Sequence, residues 1–159
     1  MASRKPLVLN AGSIQQLQSG DTLAAPLAGA QEVSLTNDDV GSHVPGQVVY
    51  LDTNDGVKKA QANAGATANA FALATIAVTN GVAGVYATDG ILSLTTGQWD
   101  TAFGTSGGLT ANTIYYLSAA TAGLGTATAP STVGQYVVRL GIAVSTTELD
   151  IGIRDPILL

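Results

Sequence analysis

Two stretches of the chain place Tyr-Leu just before a short polar, glycine-containing segment. They are Gln47-Val-Val-Tyr-Leu-Asp-Thr-Asn-Asp-Gly56 and Thr113-Ile-Tyr-Tyr-Leu-Ser-Ala-Ala-Thr-Ala-Gly123. Tyr50 and Tyr116 lie 66 positions apart (116 − 50), and the spacing recurs. At the same offset Ile76-Ala77-Val78 falls on Ile142-Ala143-Val144, Val85 on Ile151, Asp89 on Asp155, and Ile91-Leu92 on Ile157-Leu158. A chain this rich in Ala, Thr and Gly gives chance identities freely, and convergent β-patterning is the competing explanation. The matches cluster in strand-like runs while the differences fall in Gly/Asn/Thr stretches, which favours duplication. Duplication constrains the core. One half alone leaves sheet edges and an apolar face open, whereas two halves can cover each other and close into a single barrel without edges.

From about residue 31 the sequence is a series of short β-like runs separated by turn residues, the pattern of an all-β barrel or sandwich. The runs are Val33–Leu35, Gln47–Thr53, Val57–Ala60, Phe71–Thr79, Gly84–Thr88, Ile91–Thr95, Thr113–Ser118, Gly125–Thr128, Gln135–Val144 and Glu148–Arg154. The last is the clearest: Leu149, Ile151 and Ile153 alternate with Glu148, Asp150 and Arg154, as a half-buried strand requires. Asn54-Asp55-Gly56 marks a hairpin. No helix longer than about a turn is expected, and the Ala-rich stretch around Gly65 is broken by Gly and Asn. Residues 1–30, with Pro6, Gly12, Gly20 and Pro26, show no sustained period and are expected to form an extended N-terminal arm. The remainder, 31–159, is expected to be one compact barrel or sandwich of two similar halves, about 46–93 and 112–159.

Composition removes several classes of function. With no cysteine, the chain cannot build zinc ribbons, thiol nucleophiles or redox motifs. The net charge is −5 with only six Lys and Arg, clustered at Arg4-Lys5 and Lys58-Lys59, which does not suit a nucleic-acid binder. No apolar run approaches the roughly 20 residues of a membrane-spanning helix, and MASRKPLVLNAG is too short in apolar residues for a signal-peptide core. Charged residues are 11% of the chain, against roughly 25% in ordinary soluble domains. That balance points to a surface facing other protein.

No constellation of residues in the sequence points to an enzyme. Gly104-Thr-Ser106-Gly-Gly108 fits Gly-x-Ser-x-Gly, but a nucleophile elbow needs a strand before it, a helix after it and a downstream His. A loop-like sequence follows, and the single histidine, His43, lies upstream. His43, between Gly41 and Pro45, reads as a surface or turn residue with no second His or Cys to share a metal. Asp52-Thr-Asn-Asp-Gly56 begins like a calcium loop, but its glycine comes one position early and Asn63 stands where a bidentate Glu is needed. Thr36-Asn-Asp38-Asp39 reads as a polar turn. Glu148 and Asp150 share a solvated strand face, and Trp99 is expected to pack in a core, with a cap on the barrel or a subunit contact as the alternatives. No metal or other cofactor is expected.

The succession Gly46-Gln-Val-Val-Tyr-Leu-Asp52, Gly56-Val-Lys-Lys-Ala60 and Gly84-Val-Tyr-Ala-Thr-Asp-Gly-Ile-Leu92 resembles bacteriophage capsid cement, or head decoration, proteins. So do Ile114-Tyr-Tyr-Leu-Ser118, Gly134-Gln-Tyr-Val-Val-Arg-Leu-Gly-Ile-Ala-Val144 and Glu148-Leu-Asp-Ile-Gly-Ile153. The resemblance covers about residues 31–154 and implies small duplicated β-barrels that bind the major capsid protein on the outside of the head, commonly as homotrimers. Such a protein is made in the host bacterial cytoplasm and ends up in the virion. The second half is also similar to modules of phage tail-fibre and other virion proteins, so a tail or baseplate component is the alternative. A host-surface carbohydrate-binding module is a lesser one. The longer arm and the insertion around Gly97–Gly108 depart from the shorter cement proteins and leave the binding mode open. For contacts with the partner, the arm offers Arg4 and Lys5 as a positive tip, with Leu7, Leu9, Ile14 and Leu17 as scattered apolar anchors.

Overall fold

Val48-Val49, Ala72-Leu73 and Tyr86-Ala87 are neighbouring pairs in which both residues are fully buried. Successive side chains of a strand point to opposite faces, so the strands carrying these pairs must be covered on both sides. The computed structural model shows how. It describes the backbone of residues 7–10 and 13–16, and all of residues 29–53 and 55–159.

The elements, in chain order, are β1 (Leu7–Asn10), β2 (Ser13–Gln16), β3 (Gln31–Asn37), β4 (Val48–Leu51), β5 (Gly56–Lys59), α1 (Gly65–Ala68), β6 (Ala70–Ala74) and β7 (Ala83–Ser93). They continue with α2 (Thr96–Phe103), β8 (Ile114–Leu117), β9 (Gly125–Thr126), β10 (Tyr136–Val137), β11 (Arg139–Ala143), β12 (Glu148–Ile151) and β13 (Ile157–Leu158). The fold is all-β, as expected. Strands β3-β5-β4-β6-β7 follow one another by hydrogen bonding, and β7 pairs back onto β3, closing a five-stranded barrel. Only β3–β5 is parallel within it. The chain then continues the sheet outward: the end of β7 pairs with β12, followed by β11, β8 and β9.

Closure therefore occurs within the first half together with β3, not by the two halves meeting as expected. The barrel interior is filled by Leu35, Val49, Val57, Ala72, Ala74, Val78 and Tyr86, with every barrel strand contributing. The opposite faces of β4, β6 and β7, through Val48, Leu73 and Ala87, join a larger core with Leu92, Trp99, Phe103, Tyr115, Leu117, Leu140, Leu149 and Ile151. The second sheet and α2 thus cover the outer face of the barrel. Part of the low charge follows directly, because strands buried on both faces carry no charged side.

The halves are duplicates in topology. β5-β4-β6-β7 and β9-β8-β11-β12 have the same order and the same antiparallel sense. Both carry a one-residue bulge at the same place: Phe71 is the extra residue opposite β4, and Leu140 is the extra one opposite β8. The 66-residue offset holds between β4 and β8. Pairing register moves it to 68 at β5/β9 (126 − 58) and 69 at β6/β11 (142 − 73). It is 63 at β7/β12 (149 − 86), because the connecting turns differ in length. Ile142-Ala143 is accordingly equivalent to Leu73-Ala74, and Ile157-Leu158 pairs with β10 instead of continuing the main sheet.

The runs 84–88 and 91–95, expected as two strands, form one, β7. It passes from the barrel to the second sheet at Gly90, which has φ 82° and lies where an added Cβ would be 2.7 Å from the Gly29 carbonyl oxygen. A left-handed backbone and a crowding main chain both demand glycine here. Gly90→Val is expected to lower stability by about 2 kcal/mol or more. A chemical denaturation midpoint matching that of the parent chain would contradict this account of the switch between sheets.

The expectation of no helix beyond a turn is corrected by α2. Thr95 accepts from the Gln98 amide while the Gln98 side chain reaches back to the Thr95 backbone, forming a capping box. The helix stops at Gly104 in the left-handed conformation, its amide bonded to the Asp100 carbonyl. Its inner face buries Trp99, Ala102 and Phe103. Trp99 packs in the core as expected. In β12, Leu149 and Ile151 point inward and Asp150 outward, as the alternation predicts, although the strand ends at Ile151.

Candidate functional site

Asn37, at the end of β3, and His43, in the connection to β4, are fully buried polar residues. The Asn37 amide donates to the carbonyls of Gly41 and Val78, and its oxygen accepts from the Asp39 amide. What reads as a polar turn is therefore a fixed plug at one mouth of the barrel. His43 exchanges both backbone hydrogen bonds with Val78 and sits edge-on to Tyr86, with its Nδ1 2.9 Å from the Tyr86 hydroxyl. This corrects the expected surface histidine. Gly41 and Pro45 do make a turn, but the turn folds its histidine back into the barrel.

Asp39 lies at the rim, 3.6 Å from His43 Nε2, and accepts from the Lys59 amide. A carboxylate on that side favours the imidazole proton on Nε2, so the Tyr86 hydroxyl donates to Nδ1. Burial lowers the His43 pKa below its ordinary 6.5, outweighing the attraction of Asp39. Burial also pushes the Tyr86 hydroxyl up to about 12. For Asp39, burial opposes ionisation, but the amides of Lys59 and Val40 and the Lys59 charge more than offset it, and its pKa is lowered. The Asp39–His43–Tyr86 row has the order of an acid–base relay, and its inner members His43 and Tyr86 have no solvent exposure. The row holds the barrel mouth.

The Gly-x-Ser-x-Gly stretch follows α2, not a strand, and Ser106 is exposed. Asp100 fixes this loop: its carboxylate accepts from the Thr105 hydroxyl and from the amides of Gly107 and Gly108. The Gly108 amide and the Thr105 hydroxyl, in that order, lower the Asp100 pKa. The stretch is a clamped loop without the context of an elbow.

Of the cavities that open on the body, two lie beside segments already described. One of about 510 Å³ is lined by Thr36, Asp38, Thr53, Asp55 and Gly56. Beside it, Thr53 donates to Asp38, and Asp52 pairs with Lys58 at 2.5 Å. This is the segment that begins like a calcium loop; among the described residues no three His, Asp or Glu side chains converge as metal ligands. The other, about 480 Å³, is a groove bounded by Leu51, Phe71, Thr88, Ile153, Arg154 and Pro156.

Beyond the groove lies the feature that sequence reading missed. β10 and β13 form a separate two-stranded ribbon, and Ile157 and Leu158 of β13 remain 64% and 60% exposed. Leu159 and Val133 beside them are exposed as well, held together by hydrogen bonds of Leu159 with Gly134 and Gln135. The signal was present, since three successive apolar residues, Ile157-Leu158-Leu159, cannot all face one core. Of the arm residues expected to bind a partner, Arg4, Lys5 and Leu17 lie outside the described residues. Leu7 and Leu9 belong to β1 and Ile14 to β2, with Leu9 paired opposite Ile14, so the arm is folded back on itself at this point instead of running straight.

No protein-family model and no curated protein matches the chain.

Proposed function

We propose that this chain is a structural protein of a bacteriophage particle, decorating the outside of the head by binding the major capsid protein where its subunits meet. One observation carries the reading. The stretches that resemble decoration proteins coincide with β4, β5, β7, β8, β10–β11 and β12, so the resemblance follows the framework of the barrel and its continuing sheet. Exposed apolar residues that the core does not use, Val133, Ile157 and Leu158, supply contact area of the kind that marks protein–protein surfaces. Mechanically, a protein that binds only the assembled shell stabilises it by mass action. Closed symmetric association is the common form for such assemblies, and the resemblance favours a homotrimer.

Heads assembled without this protein, mixed with the purified chain and sedimented, test the reading. Hundreds of copies on each head are expected; a few dozen copies confined to the tail would replace it with a tail-fibre or baseplate role. Ala30 already packs against the core, so the arm to remove is residues 1–28. Its deletion is expected to leave the melting temperature nearly unchanged while head binding falls at least tenfold, about 1.4 kcal/mol. Undiminished binding would exclude the arm as a tether.

A further inference from the structure

The two ends of the chain repeat one motif. Arg4-Lys5-Pro6-Leu7-Val8-Leu9 aligns with Arg154-Asp155-Pro156-Ile157-Leu158-Leu159, with identical Arg, Pro and final Leu and apolar residues between. The last three positions of the first copy lie in β1, and two of the last three of the second form β13. These are also the elements with the least to hold them. Among the described residues β1 pairs with β2 and β13 with β10, as two ribbons apart from the main sheet. β10 is anchored to the body through the Tyr136 amide, which donates to the Ala62 carbonyl. Among the described residues β13 is thus the outer strand, with one edge unpaired and apolar side chains exposed on both faces.

A two-stranded ribbon is marginal by itself, and a free apolar edge invites a further strand. Among the described residues of one chain β1 and β13 do not pair with each other. Charge suits the arm to the body of this fold: residues 1–28 carry Arg4, Lys5 and Asp21, while residues 29–159 hold ten Asp and Glu against four Lys and Arg. The twelve residues between β2 and Gly29 can span about 40 Å when extended, enough to reach a neighbour. We infer that β1 of one copy docks along the exposed β13 ribbon of a second copy and adds a strand to it. Main-chain hydrogen bonds supply the affinity, as in β-augmentation. β1 would then run along Ile157 and Leu158, close to the groove beside Pro156.

The absence of cysteine makes the test clean. Val8→Cys and Leu158→Cys are prepared separately, mixed at equal concentration without any phage head, and treated with a short bismaleimide. A product of twice the 15.9 kDa chain mass is expected in the mixture, at least fivefold above either variant alone. A double variant should cross-link between chains as well. Three results would overturn the inference: no product in the mixture, equal product from Leu158→Cys alone, or closure only within single chains of the double variant. Deleting residues 1–16 should also shift sedimentation toward the single-chain mass, and unchanged association would count against the exchange. Neither measurement involves a shell, so arm exchange and head binding stand or fall separately.

Discussion

Trp99→Ala is expected to destabilise the protein by about 3–5 kcal/mol, a large share of the 5–15 kcal/mol that typically holds a domain folded. Trp99 has no solvent exposure, its ring meets Phe103 edge-on at 5.0 Å, and Phe103 in turn packs on Tyr115 of β8. Its indole N–H donates to the Thr147 carbonyl at 3.0 Å, tying α2 to the turn between β11 and β12. Truncation leaves a large void between the barrel and the second sheet and removes one of the two hydrogen bonds to the Thr147 carbonyl, which keeps the Leu94 amide. In a chain of this size the melting temperature should fall by about 10 °C. Ser106→Ala, on the exposed loop just after the same helix, should change stability by no more than about 0.5 kcal/mol. Trp99 is the single tryptophan, so its emission reports the same site, blue-shifted when folded and moving to the red as the domain opens. A small shift for Trp99→Ala would mean that α2 is an ornament on the barrel, not part of its core.

How far such a structure can be read from sequence depends on how local its causes are. β12 was legible because the alternation of Leu149, Asp150 and Ile151 is a property of consecutive residues. The β4–β5 hairpin was legible from its turn residues. Helix α2 was legible in principle, since Thr95, Gln98 and Gly104 are its caps, but threonine and glycine are so common in this chain that they read as turn. Barrel closure was not legible. It rests on β3 meeting β5 in parallel and β7 in antiparallel, and no local pattern encodes a pairing between residues so far apart. The duplication was visible through Tyr50 and Tyr116, but turn lengths shift the true register by several residues on either side of the 66-residue spacing. His43 was misjudged for a related reason: its neighbours specify a turn, and only the closed barrel decides which way the turn faces. Pairing in the arm and exposure at β13 likewise depend on what lies beside them in space.

Acid should weaken this protein through His43 well before its carboxylates are neutralised. The pKa of His43 in the folded state is below the 6.5 of a free histidine, so the unfolded chain takes up the proton more readily. The stability this represents is complete above about pH 6.5 and is lost as pH falls through the lower folded-state value. One proton gives a slope of up to about 1.4 kcal/mol per pH unit. Asp39 works in the same direction at a lower pH. Its folded-state pKa lies below 3.8, so its contribution is present above that value and lost as pH falls further. The charged and titratable groups around His43 are Asp39, Lys59 and Tyr86. Tyr86 stays protonated throughout this range, and Lys59 opposes a second positive charge nearby. Protonation would also place an N–H on Nδ1, which would donate to the Tyr86 oxygen and reverse the direction of that hydrogen bond, leaving the Tyr86 hydroxyl proton to find another acceptor inside the barrel. Thermal unfolding between pH 7.5 and 4.5 should therefore show a melting temperature that falls from about pH 6.5 downward. His43→Leu fills much of the same space without titrating and should flatten that slope, whatever its effect on stability at neutral pH. Equal slopes in the two proteins would show that the acid response arises elsewhere and that His43 already carries its proton inside the barrel.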